Sequence, residues 1–303
     1  MPENANRSLQ GPPVTVVTGA ARGIGAQLAR RLAARGHRLA LIGLEADQLA
    51  EVASECGPGA AWWEADVTDG THLSDVAAQV AGRLGPARAV VANAGIALGA
   101  PLLHADAASY DRVIEVNLLG SVRTARAFLP HLVETRGYLL QIASLAAIVT
   151  SPMLSAYCAS KSGVEAFARA LAAEVAHHGV DVGVAYLSWT DTEMVRGSDR
   201  VTPLAARRSA LPPPFNRTYP VDAAADRLAR GLERRAAHIY LPPWIRAVAL
   251  GRGLLGPGLA KATARTTART ERELLARHPE ALRGAVGAGG EADVRARDRR
   301  VTG

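Results

Sequence analysis

The feature that most restricts the fold of this 303-residue chain is a regular alternation of short apolar segments with longer amphipathic ones. Residues 14–17 form a β-branched run that ends in a Gly-rich turn. In the segment that follows, Leu28 and Leu32 lie four residues apart, as on one face of a helix. Similar pairs of segments recur along the chain as far as residue 241. Strands that alternate with helices in this way predict an α/β fold, a doubly wound parallel sheet of about seven strands with helices on both faces.

The predicted elements follow from hydrophobic periodicity and from the Gly, Asn and Pro residues at their ends. Strands are predicted at residues 14–17, 39–42, 60–63, 89–92, 138–142, 180–187 and 238–241. Helices are predicted at residues 26–35, 47–55, 72–84, 107–133 and 156–178. Ligands of such sheets bind at the carboxyl ends of the strands, so the residues that follow the strands are the first candidates for a site.

Three segments lie outside this regular pattern. Residues 1–12 are polar and predict a flexible N-terminal tail ahead of a single α/β domain at residues 13–243. Residues 194–220 contain five prolines and little periodicity, which is typical of a lid or loop over a substrate. Residues 244–303 form a C-terminal extension. In it Pro257 argues against one straight helix, and the Arg, Gly and Ala-rich part after about residue 277 predicts partial disorder.

Composition excludes several classes of protein. Hydrophobic residues make up 49% of the chain and charged residues 21%, which is typical of a globular protein with a sizeable core. The two cysteines, Cys56 and Cys158, supply neither a disulfide framework nor metal-ligand spacing, which favours a reducing, cytoplasmic location. We find no apolar run long enough to span a membrane, and the first residues lack the apolar core of a secretory signal.

The net charge of +7 is concentrated in the C-terminal extension, which carries 12 Arg and Lys against six Asp and Glu. A nucleic-acid surface would combine such charge with aromatic residues, of which the extension has none beyond Trp244. The basic segment therefore predicts a solvated tail, with a weak contact to an anionic membrane surface as the sharper alternative. For the apolar first part of the extension, cover for the substrate pocket and a subunit contact also stay open.

The turn after the first strand has the glycine spacing of a phosphate-binding loop. Gly19 can take a positive φ for the tight turn, Gly23 lets the backbone approach a pyrophosphate, and Gly25 lets the helix pack close to the strand. The start of the following helix then offers free N–H groups and the positive end of its dipole to the phosphates. The turn therefore predicts a dinucleotide site.

This turn is similar to the Thr-Gly-x-x-x-Gly-x-Gly signature of the short-chain dehydrogenase/reductase family, here residues 18–25. Residues 93–95 resemble the family's Asn-Ala-Gly motif, and residues 66–67 resemble its adenine-contacting pair. The resemblance covers residues 14–243 and implies a Rossmann fold of the single-domain Tyr-x-x-x-Lys branch. The cofactor-binding residues that it implies are Gly19, Arg22, Gly23, Ile24, Gly25, Asp66, Val67, Asn93, Ala94, Gly95, Tyr157, Lys161, Thr190 and Thr192.

Four residues resemble the family's catalytic tetrad: Asn117, Ser144, Tyr157 and Lys161. Tyr157 and Lys161 are four residues apart and so share a helix face. A phenol can donate the proton that ketone reduction requires, and a phenolate can take it back in alcohol oxidation. Because free tyrosine has a pKa of about 10, a neighbouring ammonium and the positive charge of oxidised nicotinamide are expected to lower the pKa of Tyr157.

The resemblance also implies the roles of the other three tetrad members. Lys161 would hold the nicotinamide ribose, and Asn117 would hold a water for proton relay near Lys161. Ser144 would hydrogen-bond the substrate oxygen and stabilise its developing charge. No metal is implied for the chemistry.

Two positions depart from the family pattern. Leu187 and Ser188 replace the usual Pro-Gly after the sixth strand, although Thr190 and Thr192 match the cofactor-contacting residues that follow. Gly43 stands at the end of the second strand, where NAD-using enzymes carry an acidic residue for the ribose 2′-OH. With Arg22 available for a 2′-phosphate, the sequence favours NADP over NAD as the cofactor.

We therefore predict an NAD(P)-dependent oxidoreductase that moves a hydride between nicotinamide and a secondary alcohol or ketone, with an apolar or lipid-like small-molecule substrate. Subunits are expected to pair, as a homodimer or homotetramer, through the helices that bear Asn117 and Tyr157. Two alternatives stay open. One is a non-catalytic, dinucleotide-binding sensor or scaffold, and the other is a membrane-associated 3-oxoacyl or lipid reductase.

Overall fold

The computed structural model of the protein describes residues 11–302, with side chains at all of these positions except 202, 254–263 and 299–302. The predicted N-terminal tail at residues 1–12 lies almost entirely outside the described residues. The seven strands are β1 (Val14–Thr18), β2 (Arg38–Gly43), β3 (Ala60–Glu64), β4 (Ala89–Ala92), β5 (Tyr138–Ile142), β6 (Asp181–Leu187) and β7 (His238–Leu241).

The strands form one parallel sheet in the order β3-β2-β1-β4-β5-β6-β7. The predicted doubly wound sheet of seven strands is therefore confirmed. Its order reverses between β1 and β4, and this reversal opens a crevice at their carboxyl ends. The sequence places the Gly-rich turn after β1 and residues 93–95 after β4, so both predicted motifs meet at this crevice.

The helices are α1 (Gly23–Ala33), α2 (Ala46–Cys56), α3 (Gly70–Leu84), α4 (Ala107–Ile114), α5 (Gly120–Thr135), α6 (Ser155–Val175), α7 (Glu193–Arg200), α8 (Thr202–Ser209), α9 (Val221–Glu233), α10 (Ile245–Arg277) and α11 (Gly287–Thr302). Between α4 and α5, residues Glu115–Leu119 form a π-helical segment. The single helix predicted at residues 107–133 is thus interrupted by a wider turn, which sequence periodicity does not reveal.

Buried strand residues alternate between two helical layers. Val16 and Leu139 point to the layer that contains Phe128 of α5, whereas Val17 and Leu140 point to the opposite layer. These strand side chains are fully buried on both faces, as expected of a parallel sheet covered on both sides. The core therefore holds the strand ends, and with them the crevice, in fixed positions.

In the structure the C-terminal extension is helical and packs on the rest of the protein, and its predicted partial disorder stays a prediction. Helix α10 continues through Pro257, where the sequence predicts a break. Near its two ends Ile245 and Leu274 are fully buried. Beyond it, α11 packs against the lid helix α7 with Asp293 buried. A few buried side chains thus anchor a segment whose average composition is that of a solvated tail. Within the described residues we find no helix that is both long and apolar enough to cross a membrane.

Candidate active site

A cleft of about 220 Å³ runs along the carboxyl edge of the sheet. Among the residues that line it are Gly19, Arg22, Gly23, Ile24, Asp66, Val67, Asn93, Ala94, Gly95, Ser144, Tyr157, Lys161, Thr190 and Thr192. The structure therefore brings together fourteen of the sixteen predicted site residues in one cavity. Gly25 and Asn117 lie behind the lining and support it.

The Gly-rich turn has the backbone that its sequence predicts. Gly19 and Gly23 have positive φ values of 63° and 53°. A Cβ on Gly25 would lie 2.2 Å from the carbonyl oxygen of Gly19, so only glycine lets helix α1 approach the end of β1 this closely. Helix α1 has no side-chain cap at its N-terminus, which leaves backbone donors of its first turn directed at the cleft. This cradle fits the phosphates of a dinucleotide.

The two turns at the crevice are held together by polar contacts. The Asn93 side chain donates hydrogen bonds to the carbonyls of Thr18 and Gly19, at 2.9 and 3.2 Å. The Thr18 hydroxyl in turn accepts from the backbone N–H groups of Asn93 and Ala94. Asn93 thus links the turns that follow β1 and β4, and it also lines the cleft.

Ser144, Tyr157 and Lys161 form the opposite end of the cleft from Asp66. Ser144 follows β5, while Tyr157 and Lys161 lie in adjacent turns of α6. The ammonium of Lys161 is buried, donates to the Ile142 carbonyl at 2.8 Å and lies 5.8 Å from the centre of the Tyr157 ring. The three polar groups expected to meet a carbonyl substrate are therefore next to one another.

Burial sets the protonation of this group. It raises the pKa of Tyr157, although a hydrogen bond with Ser144 acts in the opposite direction. It also lowers the pKa of Lys161 to about 8. The lowered Tyr157 pKa expected from sequence depends also on oxidised nicotinamide and stays a prediction; in the protein itself, burial of the phenol outweighs the Ser144 hydrogen bond and raises this pKa.

Asn117 lies in the π-helical segment and is fully buried. Its amide group donates to the Ile96 carbonyl at 3.0 Å and accepts from the Ile96 N–H at 2.8 Å. It also donates to the Ser160 hydroxyl at 3.0 Å. In this arrangement the Asn117 side chain fixes the chain after residues 93–95 against α6, and its water-holding role stays a prediction.

The loop that departs from the family pattern still reaches the cleft. Thr190 is buried and its hydroxyl donates to the Ser188 carbonyl at 3.0 Å. A methyl group of Thr192 lies 3.4 Å from the place where Gly23 would carry a Cβ. The guanidinium of Arg208, in the segment predicted to be a lid, lies 5.6 Å from the centre of the Trp189 ring. Leu187 and Ser188 therefore keep both threonines at the cleft.

The far end of the cleft carries an ion pair between Arg22 and Glu45. Glu45 occupies the N-cap position of α2, two residues beyond Gly43, without a side-chain capping hydrogen bond, and its side chain is only 16% exposed. Arg22 was predicted to meet a 2′-phosphate, but in this structure its guanidinium is bound by a carboxylate. Any phosphate at this place would compete with Glu45 for Arg22.

The sequence does not predict that residues of the C-terminal extension line this far end of the cleft. Gly289 and Asp293 of α11 line the cleft beside Asp66 and Val67. Behind them, the buried Arg112 of α4 donates hydrogen bonds to the carboxylates of Asp66 and Asp293. One aspartate in an Arg-rich tail carries no sequence signal that distinguishes it from its solvated neighbours.

The parallel sheet and its crevice define a protein of the Rossmann type. Residues 13–201 match the family model described as short chain dehydrogenase. The chain belongs to this family and is an oxidoreductase of the kind that acts on CH–OH groups. The family resemblance inferred from sequence is thereby confirmed.

Two relatives and one solved structure show what the chain is similar to. The 1-deoxy-11-beta-hydroxypentalenate dehydrogenase of Streptomyces avermitilis is 35% identical over 236 residues, which are 76% of this chain and 84% of that protein. The cis-4-hydroxycyclohexanecarboxylate dehydrogenase of Sinomonas cyclohexanicum is 35% identical over 64% of this chain and 81% of that protein. An alcohol dehydrogenase from the archaeon Thermococcus sibiricus, solved with 5-hydroxy-NADP, superposes with a TM-score of 0.65. Its sequence is 27% identical, and the match covers 75% of this chain and 94% of that one.

Proposed function

We propose that the protein is an NAD(P)-dependent oxidoreductase that transfers a hydride between nicotinamide and a secondary alcohol or ketone, with Tyr157 as the acid/base. One observation carries the proposal. Tyr157, Lys161 and Ser144 line the same cleft as the Gly-rich turn, so a proton donor and a phosphate cradle face one cavity. A dinucleotide supplies the hydride donor or acceptor that this chemistry requires when it is bound there.

In the reducing direction Tyr157 donates the proton to the carbonyl oxygen. Its raised pKa keeps the phenol protonated near neutral pH, which suits an acid. Ser144 lies beside Tyr157 and can donate a hydrogen bond to the same oxygen, stabilising the negative charge that develops there. In the oxidising direction Tyr157 must first lose its proton, and the Lys161 ammonium favours the resulting phenolate.

Residues of the chain fit a dinucleotide along the whole cleft. The first turn of α1 would hold the pyrophosphate, and the Lys161 ammonium would hold the ribose next to nicotinamide. Among the described residues Lys161 donates one hydrogen bond, to the Ile142 carbonyl, so two of its three N–H groups are available for ribose hydroxyls. NADP is the cofactor that the sequence favours, and the Arg22–Glu45 pair is the feature on which that choice depends.

The substrate class is an alcohol or ketone on an apolar framework. Beside the polar groups, the cleft is lined by Ile96, Leu187, Met194 and Val195, which offer apolar contact but no charge. The names of the two dehydrogenases described above denote hydroxylated carboxylic acids. Hydroxy acids and their ketones are therefore the first compounds to test, each beside an uncharged ester of the same framework.

The test is a fluorescence titration with NADH and NADPH, followed by turnover with a panel of ketones and alcohols. Tyr157→Phe should lower turnover by about 10²–10⁴-fold while dinucleotide binding stays within about twofold. Tyr110→Phe is the matched control, because the exposed Tyr110 hydroxyl contacts only Ser155 among the recorded hydrogen bonds. If Tyr157→Phe turns over substrate as fast as the Tyr110 variant, the proposed mechanism is wrong.

A further inference from the structure

The end of the cleft that lies away from Tyr157 is closed by a buried cluster of charges centred on Arg112. Its Nη2 atom donates to Asp66 and to Asp293, at 2.7 Å each. Nε donates to Asp293 at 2.9 Å, and Nη1 donates to Thr68 and Glu115 at 2.9 Å each. These contacts use all five N–H groups of the guanidinium, so its orientation is fully determined.

The cluster joins two parts of the chain that are far apart in sequence. Asp66 follows β3 in the core, whereas Asp293 lies in α11, 181 residues after Arg112. Both carboxylates are nearly inaccessible, with 3% exposure each. Asp293 also lies 3.5 Å from the Nε atom of Arg297. Because a buried carboxylate is costly unless paired, Asp293 determines where α11 sits.

Contacts on either side fix the segment that leads into α11. The Val286 N–H donates to the Ala97 carbonyl at 2.7 Å, and the Asp106 N–H donates to the Leu282 carbonyl at 2.9 Å. Gly287 has a positive φ of 78°, and a Cβ there would lie 2.5 Å from the Glu193 carbonyl oxygen. The start of α11 is therefore held tightly against α7.

The same helix presents Gly289 and Asp293 to the cleft, beside Asp66 and Val67. In an extended dinucleotide with phosphates at the Gly-rich turn and nicotinamide at Tyr157, this end receives the adenosine. The pKa of Asp66 is lowered: burial alone would raise it, but hydrogen bonds from Thr68 and Arg112 outweigh burial. Asp66 is thus held as a carboxylate at the adenosine end, and Arg112 is one of the groups that hold it.

We propose that Asp293 is a positioning residue for the adenosine half of the dinucleotide. It fixes Arg112, which fixes Asp66, and it places α11 as the outer wall of this end of the cleft. The C-terminal extension is then a part of the cofactor site. This inference rests on the proposed function, because it assumes that the cleft binds a dinucleotide.

The test compares binding of the two halves of the dinucleotide by isothermal titration calorimetry. ADP-ribose and its 2′-phosphate represent the adenosine half, and nicotinamide mononucleotide represents the other half. Asp293→Asn should raise the Kd of the adenosine half about tenfold or more and leave that of nicotinamide mononucleotide within twofold. Asp293→Glu, which keeps the charge, should recover part of the loss.

The matched control is Glu291→Gln, which removes an exposed carboxylate from the same helix, where it pairs only with Arg295 among the recorded ion pairs. It should bind both halves as the wild type does. In steady-state turnover, Asp293→Asn should raise the KM of the dinucleotide while kcat at saturation stays unchanged. A role in stability alone would affect both halves of the dinucleotide equally.

Each outcome decides a different question. If the wild type binds no dinucleotide, the proposed function fails. If the wild type binds it and Asp293→Asn binds ADP-ribose equally well, or loses both halves in parallel, the positioning role is refuted and the proposed function stands. If Asp293→Asn is unfolded at the assay temperature, Arg297→Gln replaces it. This variant removes only the second partner of Asp293 and should give a loss of about two- to threefold, confined to the adenosine half.

Discussion

The two ends of the cleft are built in different ways. The catalytic end is assembled from the end of β5 and helix α6, where the fold itself brings Ser144, Tyr157 and Lys161 together. The adenosine end is completed by Asp293, which reaches Arg112 across 181 residues of sequence. The geometry of the catalytic end follows from the sheet itself. The geometry of the adenosine end depends on individual side-chain contacts made by the C-terminal extension. The predictions below test whether the two ends differ in this way.

The largest effect is expected at a glycine of the core. Gly25→Ala puts a Cβ 2.2 Å from the Gly19 carbonyl oxygen and 2.7 Å from the Asn93 amide nitrogen, and neither can move without opening the turn. We expect a loss of about 3 kcal/mol in the free energy of unfolding and no measurable dinucleotide binding. Chemical denaturation and a fluorescence titration measure the two effects.

A glycine of the extension provides the comparison. Gly251 lies in α10, and a Cβ there would meet no atom within 4 Å. Gly251→Ala should therefore be neutral or should stabilise the helix by up to about 1 kcal/mol. If the two substitutions destabilise the protein equally, close packing at the Gly-rich turn does not distinguish the core from the C-terminal extension.

The next effect is expected where the extension packs on the lid. Leu274 of α10 is fully buried against Met153 and Leu204. Leu274→Ala should remove about 2–3 kcal/mol of packing free energy and release the extension before the core unfolds. Limited proteolysis should then cut after residue 244 at a rate that rises with this local opening.

Leu275 is the matched control, since it is the next residue of the same helix and is 40% exposed. Leu275→Ala should leave the proteolysis rate within about threefold of the wild type. If Leu274→Ala instead unfolds the whole chain in one transition, the extension is an integral part of the core. The two ends of the cleft would then differ less in how they are built than the fold suggests.

The sequence predicts the catalytic end well because its signals are local. Strand periodicity, the glycine spacing and the four-residue separation of Tyr157 and Lys161 each lie within a few residues, and the parallel sheet then places them at one edge. The packing of the extension is not predicted, because it depends on which few of its residues are buried. Neither the packing of Leu274 nor the pairing of Asp293 follows from periodicity or from average charge.

The pH profile of turnover should depend on the catalytic end alone. Alcohol oxidation requires the Tyr157 phenolate, and the pKa of that phenol is raised by burial. Oxidation should therefore increase with pH, about tenfold per unit while Lys161 is charged and less steeply above about pH 8, where the ammonium that favours the phenolate is lost. Ketone reduction, which uses the protonated phenol, should stay flat up to about pH 8. Rates measured from pH 6 to 10 with saturating dinucleotide provide the profile.

The same profile recorded with Asp293→Asn sharpens the comparison. Since Asp293 lies at the adenosine end, its loss should change the concentration of dinucleotide needed for saturation and leave the profile at saturation unmoved. An oxidation rate that does not vary with pH in the wild type would argue against Tyr157 as the base. A shifted profile in the Asp293 variant would show that the two ends are coupled.

The smallest effect is expected at Glu45, which belongs to the core of the protein and lies at the adenosine end of the cleft. The quantity that should change is the affinity for NADPH relative to NADH. The Glu45 carboxylate binds Arg22, so a 2′-phosphate placed there meets a negative charge and an occupied guanidinium. Glu45→Gln should raise the affinity for NADPH relative to NADH by up to about tenfold. Glu51→Gln, which removes an exposed carboxylate from the same helix, should leave the ratio of the two Kd values unchanged.

Glu45 and Asp293 should differ in the kind of effect as well as in its size. Glu45→Gln is expected to change the preference between the two dinucleotides, because Glu45 lies beside the group that distinguishes them. Asp293→Asn is expected to weaken both by the same factor, because Asp293 acts through Asp66 on the adenosine that both share. Parallel titrations of the two variants with NADH and NADPH separate selectivity from affinity. A change of preference in the Asp293 variant would place α11 at the ribose 2′ position and remove the distinction between the core and the extension at this end of the cleft.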